Sequence, residues 1–400
     1  MLARHSRIAL ALLSPALATA LAAQSNVIVV GPLGPGVDYA NLFLAIQAST
    51  PGTIILVKSG GYGAFDTGGR AIHIVADSGA TPHIGQGESK ISFVPAGPSC
   101  SLRGLRFDAT FPLDMANVLA CAWVEDCHFA GGVQVDQCVS AGFARCTTSS
   151  TTAPLNDHPA LHLSALPPNP CRVWSFDSEW SGGSGFGTGS AADTNGLSGS
   201  VSINASLYLS GGSTRGGDSA AWSSGTSCVQ GAAGQGAYVS SGSVLRHLGA
   251  SFVGGTPSTA CGSPPIGGEP LVSFGSTVDA LVGTPRSLVA SSPVREGQIV
   301  RISVHGAPGE LAFVAYAADF QPGLWSDEWR APLLVGAPLR VVPLGILPAS
   351  GAAQLAFTVG ELGAGVEGAR AVAQGAFLDP QTLAIQLGSA SEFVLLDASL

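Results

Sequence analysis

The stretch Leu102-Arg103-Gly104-Leu105-Arg106-Phe107 decides the fold, because later stretches repeat its apolar positions one, four and six. Val124–Phe129 (VEDCHF) follows 22 residues later, and Phe143–Thr148 (FARCTT) follows after a further 19. Phe176–Trp180 (FDSEW) is a degraded copy, and Ser243–Phe252 contains a weaker one. A period of about 20 residues is typical of a solenoid, in which each unit buries its apolar face by stacking on its neighbours.

The residues before the repeat predict a cap and the first strands of this stack. Apolar residues recur at helical spacing between Tyr39 and Ile46, and Pro51-Gly52 ends that pattern. Ile54–Val57 follows as a buried strand, and similar β-branched runs continue along the chain. An amphipathic helix in this place is expected to cover the open end of a stacked core. The longer gaps between repeats, Pro154–Pro170 and Gly182–Gly196, have the composition of inserted loops.

The segment from Tyr39 to Tyr62 resembles the start of right-handed parallel β-helix proteins of the pectin-lyase-like superfamily. The likeness rests on the helix, on Pro51–Val57 and on Gly60-Gly61-Tyr62, and Leu102–Phe107 resembles the rung repeat of that superfamily. The resemblance covers roughly residues 27–260. It implies the fold, and it implies a secreted protein of a kind that often binds or acts on polysaccharide. Calcium-dependent pectate lyases of this group use an acidic cluster and a catalytic arginine, and the sequence does not place that constellation in this chain.

The composition divides the chain near residue 275. All eight cysteines and most Gly/Ser clusters come before that point, and longer aliphatic strands separated by Pro/Gly turns come after it. About seven strands in the last part suit a small β-sandwich. The sequence therefore predicts an all-β protein: a signal peptide over residues 1–23, a right-handed parallel β-helix over 24–275, and a β-sandwich-like module over 276–400.

The first residues and the charge indicate an exported protein. Arg4 and Arg7 precede the apolar run Ile8–Leu17, and small residues around Ala22 offer a cleavage site. This run is too short to span a bilayer, so secretion, a periplasmic location or the cell surface is predicted, without a transmembrane span. The formal charge is −9 and becomes −11 without the two leader arginines, with no basic patch in sight. Nucleic acid is therefore excluded as a partner.

The cysteines suggest disulfides, because their number is even and the chain is exported. Cys127 and Cys146 occupy one repeat position, and Cys100 and Cys121 nearly share another. Stacked strands lie ~4.8 Å apart, within the Cα range of a disulfide, so both pairs are candidates. The remaining disulfide candidates are Cys228 and Cys261. The alternative is a column of free thiols packed inside the stack.

The repeat register predicts one charged face. If positions four and six point inward, positions three and five point outward. The catalytic candidates on these positions are Asp126, Arg145, Asp177 and Glu179, and Arg106 and His128 are candidates for substrate binding. Carboxylates and an arginine in this arrangement could move a proton on a sugar and stabilise negative charge. The alternative is a solvated ladder of alternating charge without chemistry.

Three aromatic residues are further candidates, and other sites are not predicted. Trp174, Tyr208 and Trp222 could form a sugar-stacking platform, whereas Trp180 falls on an inward position. Asp157-His158 and His162 have a metal-ligand spacing, but the surrounding prolines indicate a loop, so no metal site is predicted. Nucleophile-elbow, P-loop and dinucleotide motifs are missing from the sequence, and no cofactor is predicted.

Three functions follow in order of preference. The first is a non-catalytic binder of extracellular polysaccharide or a cell-surface protein. The second is a polysaccharide lyase or glycoside hydrolase that uses the outward face of the solenoid. The third is a structural or adhesive envelope protein whose repeats form a stiff spacer. The repeats predict no particular oligomeric state.

Overall fold

Stacked parallel strands form the first two thirds of the protein in the computed structural model. The structure describes residues 26–85, 87–108, 111–148, 158–166, 171–185, 195–224, 227–240, 242–261, 264 and 266–400. Within these residues the chain winds through three parallel sheets, named sheet 1, sheet 2 and sheet 3 in the order in which a rung meets them. The predicted architecture, a parallel β-helix followed by a C-terminal β domain, is confirmed.

The described strands of the β-helix fall into these three sheets. Sheet 1 holds β1 (Val27–Val30), β2 (Ile54–Val57), β4 (His73–Ala76), β7 (Cys100–Arg103), β10 (Cys121–Glu125), β13 (Ser140–Ala144), β16 (Cys171–Phe176), β19 (Ala205–Ser210), β24 (Val244–Leu248) and β27 (Thr277–Ala280). Sheet 2 holds β3 (Gly60–Gly63), β5 (Pro82–Gly85), β8 (Arg106–Phe107), β11 (His128–Phe129), β14 (Thr147–Thr148), β17 (Glu179–Ser181), β20 (Ser213–Arg215) and β25 (Ser251–Val253). Sheet 3 holds β6 (Lys90–Ser92), β9 (Leu113–Ala116), β12 (Val133–Asp136), β15 (Leu161–Ser164), β18 (Ser200–Ile203), β23 (Ala237–Val239) and β26 (Leu271–Ser273). A hairpin, β21 (Ala221–Ser224) and β22 (Ser227–Gln230), is inserted before β23.

The sequence repeat corresponds to the corner between sheet 1 and sheet 2. Position one stacks in sheet 1, where Leu102 pairs with Val124, and position six stacks in sheet 2, where Phe107 pairs with Phe129. Position three has a left-handed backbone in each copy and turns the chain between the sheets; its members are Gly104 (φ 70°), Asp126 (φ 54°), Arg145 (φ 53°) and Asp177 (φ 48°). The inward aromatic rings stack, with the centroids of Phe107 and Phe129 5.0 Å apart. Repeated apolar positions therefore become one continuous core.

The predicted cap is present at the N-terminal end. Helix α1 (Leu42–Ala48) begins after Asn41, whose Oδ1 accepts a hydrogen bond from the Phe43 backbone N–H at 2.8 Å. Leu42, Ala45 and Ile46 lie on one face and are buried in the core of the β-helix. An amphipathic face of this kind shields the edges of the first strands from solvent.

Glycines form a second corner in the last rungs, between sheet 2 and sheet 3. The backbones of residues 182–185, 196–199, 216–219, 232–236, 253–256 and 266–269 cross and bond one another. The Gly234 N–H donates to Gly217 O at 2.9 Å, and the Gly255 N–H donates to Gly234 O at 2.8 Å. Gly182–Gly196 lies between β17 and β18 and its described residues, 182–185 and 195–196, form no strand, as the sequence predicts for an inserted loop; residues 186–194 lie outside the described part. This corner is a glycine-lined backbone stack that is part of the core.

One disulfide, Cys228–Cys261, joins described residues, with a Cα–Cα distance of 5.5 Å. The predicted pairs Cys100–Cys121 and Cys127–Cys146 are wrong, and the alternative of buried thiols is correct for these residues. Cys100 pairs in register with Ala122, so Cys121 lies on the opposite face of the sheet. Cys127 and Cys146 point inward side by side, where parallel Cβ atoms stay ~4.8 Å apart and exceed the span of a disulfide.

The buried thiols give a chemical prediction. Burial raises the pKa of the Cys121, Cys127 and Cys171 thiols to about 12, so these groups stay protonated and unreactive at neutral pH. We expect Ellman's reagent to label no cysteine in the native protein and six cysteines after denaturation without reductant. After reduction and removal of the reductant, the denatured count rises to eight. Fast labelling of the native protein would contradict this packing.

The C-terminal domain begins after β27, which still belongs to sheet 1 and lies beyond the predicted boundary at residue 275. A five-stranded and a three-stranded sheet enclose its apolar core, and a hairpin adds two further strands. The described strands are β28 (Ser287–Ala290), β29 (Val294–Arg295), β30 (Ile299–His305), β31 (Leu311–Ala317), β32 (Phe320–Ser326), β33 (Ala331–Val335), β34 (Arg340–Ile346), β35 (Ala352–Thr358), β36 (Gly368–Leu378) and β37 (Ile385–Leu396).

Candidate functional surface

The C-terminal domain covers the outer face of sheet 1. Trp123, Trp174, Phe176 and Tyr208 project from that face and are buried together with residues of β32, β33, β36 and β37. The Trp123 ring stacks on Phe320 with centroids 4.6 Å apart. The Tyr208 hydroxyl donates to the Arg330 carbonyl at 3.0 Å. Sheet 1 is therefore buried on both faces, one turned to the β-helix core and the other to the second domain.

This contact overturns the predicted aromatic platform. Trp174 and Tyr208 are only 3% and 1% exposed, so neither offers a ring face to a sugar in solution. Trp222 is half-buried on the inserted hairpin, outside the aromatic cluster that holds the other two. Trp180 is completely buried in the β-helix core, as its inward position predicts. These large outward rings are not exposed because the C-terminal domain covers the face of sheet 1 from which they project.

A buried carboxylate joins the two domains. Glu125 on β10 is completely buried and accepts hydrogen bonds from Trp123 Nε1 at 2.9 Å and from the Glu392 backbone N–H at 2.8 Å. Ser391, Arg103 and Arg145 also contact this carboxylate. Arg103 Nη2 donates to the Ala290 carbonyl at 2.8 Å. Charges taken out of water are tolerated only when they are paired and hydrogen-bonded, as here.

Two catalytic candidates belong to this interdomain network. Arg145 Nε donates to Asp126 Oδ1 at 2.7 Å, and Arg103 Nη2 lies 3.1 Å from Asp126 Oδ2. Arg145 also contacts Glu125 and lies 3.4 Å from the Leu288 carbonyl. Burial lowers the pKa of Arg145, but the charges of Glu125 and Asp126 outweigh this effect and raise the pKa above its usual range. Arg145 thus links the two domains, whereas Asp126 pairs with two arginines of the β-helix and keeps 36% of its side chain exposed.

A second buried group lies beside the first. Arg370 Nη1 donates to Ser99 Oγ at 2.8 Å and to Glu392 Oε1 at 3.1 Å, and its Nη2 contacts Asp319. His73 Nδ1 lies 2.9 Å from Ser101 Oγ and 3.3 Å from Arg370 Nη1. Burial and then Arg370 hold the pKa of His73 well below its usual range, so the ring is neutral. Its contact with Glu392 at 3.5 Å is therefore not an ion pair.

Sequence reasoning missed this second group, although a signal exists. The missed residues are His73, Ser99, Asp319, Arg370 and Glu392. A polar side chain within a strand of continuous apolar residues, such as His73 or Glu125, indicates a sheet buried on both faces with polar partners opposite. From the sequence alone, no contact was predicted for these residues.

The other two catalytic candidates form no ion pair with the network in the part of the chain that the structure describes. Asp177 is half-buried at the corner of the next rung, where burial raises its carboxyl pKa against the opposing effects of Arg145 and His305. Glu179 is exposed on β17, beside Thr147 on the outer face of sheet 2. The four candidates therefore do not form one cluster open to solvent.

The outer face of sheet 2 is the exposed polar surface of the β-helix. One register column runs along it, and we name this column with the adjoining Asp108 the sheet 2 face; its members are His83, Arg106, Asp108, His128, Thr147, Glu179, Ser213 and Ser251. His83 Nδ1 and Arg106 Nε contact the two oxygens of Asp108 at 2.6 and 2.7 Å. Burial raises the pKa of Asp108, but these two hydrogen bonds outweigh it and lower the pKa.

His128 continues this surface. Its Nδ1 lies 3.0 Å from Thr147 Oγ1, and burial together with the Arg106 charge lowers its pKa. The ring is therefore neutral at pH 7 and can both donate and accept a hydrogen bond. Of the two predicted substrate-binding residues in this column, Arg106 is about half exposed and His128 is partly exposed.

The structure also locates the histidines that were considered as metal ligands. His158 is exposed and His162 lies on β15, while Asp157 lies outside the described residues. In the described part of the chain, no group of three or more His, Cys, Asp or Glu side chains is arranged to hold a metal ion. Helix α1, the helix in the described part of the chain, is too short to cross a membrane.

No protein-family model matches the chain, and no curated protein is similar to it in sequence.

Proposed function

We propose that this is a secreted, non-catalytic protein that binds extracellular polysaccharide along the sheet 2 face. The observation that carries the proposal is the division of the outward charges. Arg145 is held by Glu125 and Asp126 at the contact between the domains, whereas Arg106, Asp108 and Glu179 are more exposed and lie on the sheet 2 face. These three ionic groups lie together on the sheet 2 face.

The geometry of that column suits a polymer. Seven stacked positions from His83 to Ser251 extend over about 29 Å at ~4.8 Å per strand. Guanidinium, carboxylate, imidazole and hydroxyl groups alternate along it, and sugar hydroxyls can donate to or accept from all of them. A regular repeat of polar groups matches a regular repeat of sugar units, as solenoid surfaces do for extended ligands.

Export is part of the proposal. The Cys228–Cys261 disulfide supports it, because disulfides persist in oxidising compartments. The basic and apolar residues before Ala22 support it from the sequence, although they lie outside the described residues.

A glycan hydrolase or lyase is the second candidate, because of Asp177. A half-buried carboxyl whose pKa is raised by burial is suited to give a proton to a leaving group. Arg145 lies beside it on the neighbouring rung. This candidate requires that Arg145 act while it is still bonded to Asp126 and Glu125, which ranks it below binding.

A panel of neutral and acidic polysaccharides tests the proposal in two arms, binding and release of new reducing ends or unsaturated products. We expect binding without product. Arg106→Ala should weaken binding about tenfold, since a hydrogen bond from a charged group contributes about 1.5 kcal/mol. Arg301→Ala, an exposed arginine on β30, is the matched control and should bind as the wild type.

The other outcomes each decide between functions. Product formation that Asp177→Asn abolishes would replace the binding proposal by the enzyme. Silence in both arms would favour the spacer, the third function predicted from the sequence. Binding that is equally weakened by Arg106→Ala and Arg301→Ala would exclude the sheet 2 face.

A further inference from the structure

Two glutamates are completely buried at the contact between the domains, and their surroundings differ. Both carboxylate oxygens of Glu125 are bonded: Oε2 accepts from Trp123 Nε1 and from the Glu392 backbone N–H, and Oε1 contacts two arginines. The Glu392 side chain on β37 has one bonded oxygen, Oε1, which accepts from Arg370 Nη1 at 3.1 Å. Its other oxygen, Oε2, is buried and has no hydrogen-bond partner among the described residues.

The charges of this contact do not balance when every carboxyl group is ionised. Its connected ion pairs hold three guanidinium groups and four carboxyl groups, those of Arg103, Arg145, Arg370, Glu125, Asp126, Asp319 and Glu392. Asp126 and Asp319 keep 36% and 35% of their side chains exposed, so water screens their charge. The surplus negative charge therefore falls on a buried glutamate, and Glu392 is the one with fewer partners.

The neighbours of Glu392 supply no donor to its free oxygen. The groups that face this carboxyl are His73 on β4, Ser101 and Arg103 on β7, Glu125 on β10 and Arg370 on β36. The Nδ1 atom of His73 lies 3.3 Å from an Arg370 nitrogen that can only donate, so this ring nitrogen carries no proton. Burial raises the pKa of the Glu392 carboxyl, and the charge of Glu125 adds to this effect against the opposing effect of Arg370.

We propose that Glu392 carries a proton in the docked protein, so that the C-terminal domain takes up one proton when it docks onto the β-helix. The proton removes the surplus charge and leaves Glu125 as the ionised partner of Arg103 and Arg145. A buried neutral carboxyl oxygen without a partner is far less unfavourable than a buried charged one. The inference is independent of glycan binding.

The proton makes the docking of the C-terminal domain sensitive to pH. The pKa of Glu392 is raised, so its contribution to docking is fully present below the ordinary value of 4.5 and is lost as the pH rises through the raised pKa. His73 acts in the opposite sense, because its pKa is lowered: its contribution is present above 6.5 and is lost as the pH falls through the lowered pKa. A comparison of two chains that both contain His73 isolates the effect of Glu392.

Urea unfolding of the full chain at about pH 5 and about pH 8 makes this comparison. Glu392→Gln has the shape of the protonated side chain and cannot ionise, so its midpoint should rise relative to the wild type from the lower to the higher pH. Glu125→Gln is the matched control: it removes a charge that two arginines pair with, and its midpoint should lie below the wild type at both pH values. A Glu392→Gln midpoint that falls or stays level relative to the wild type would overturn the proposal.

A second measurement uses the wild type and so does not depend on whether a variant folds. A protonated carboxyl group has an infrared C=O stretch that a carboxylate lacks, and carbon-13 at the glutamate carboxyl shifts that band away from those of the aspartates. At neutral pH we expect a glutamate band of this kind in the native protein and its loss in urea, where Glu392 meets water and ionises. Native protein without such a band would show that Glu392 is ionised in the docked state.

Discussion

Gly234→Ala is expected to unfold the last rungs of the β-helix, with a loss of about 4 kcal/mol or more in the free energy of unfolding. A Cβ at residue 234 would lie 2.0 Å from the Leu197 carbonyl oxygen and 2.4 Å from its carbon. The blocking atoms are backbone, and both Gly234 backbone groups are bonded into the stack. Because no flexible side chain can move out of the way, several of the crossing backbone segments of this corner must separate.

Urea unfolding followed by circular dichroism measures this loss. Gly63→Ala on β3 is the matched control, because its added Cβ would meet no atom within 4 Å and its φ is not positive. We expect the control to stay within about 1 kcal/mol of the wild type. Equal midpoints for the two variants would show that the glycine stack tolerates side chains.

The glycine corner shows where prediction from this sequence ends. Inward apolar residues leave a pattern at positions four and six, and that pattern predicted the rungs and the inward role of Trp180, while helical spacing predicted the cap. Glycine leaves no side-chain pattern, so a packed backbone stack and an exposed loop have the same composition. The sequence trace of this corner is the recurrence of Gly-Gly at 182–183, 216–217, 254–255 and 267–268.

The candidate site was partly predictable, for a related reason. Alternation gave the correct outward positions for Asp126, Arg145 and Glu179, but it could not say that a second domain lies against Arg145. The run Cys121–Glu125 is buried at all five positions, as expected of a strand covered on both faces. Its tryptophan on an outward position therefore indicated a covering domain. Which charges meet across that contact depends on the docking of β37, which no local pattern specifies.

The network beneath that contact leads to the second large effect. Glu125→Leu is expected to lower the free energy of unfolding by about 3–5 kcal/mol, because it removes the buried one of the two carboxylates that pair with Arg103 and Arg145 and leaves buried polar groups unsatisfied. Arg103 and Arg145 lose a partner, and the Glu392 backbone N–H loses its acceptor. Glu179→Leu is the matched control: its carboxylate is exposed and makes no ion pair within the described residues, so about 1 kcal/mol or less is expected.

A compensated variant separates the charge effect from simple loss of packing. The triple variant Glu125→Leu/Arg103→Met/Arg145→Met removes the two arginines together with the buried carboxylate. Well-packed apolar replacements of buried ion pairs often change the free energy of unfolding very little. We therefore expect the triple variant to regain most of the stability lost in Glu125→Leu, measured by urea unfolding. Limited proteolysis should release the C-terminal domain from Glu125→Leu faster than from the triple variant. If the triple variant is the less stable of the two, the ion pairs themselves stabilise the docked domain, and the expected penalty for an unpaired buried charge is not the main cause.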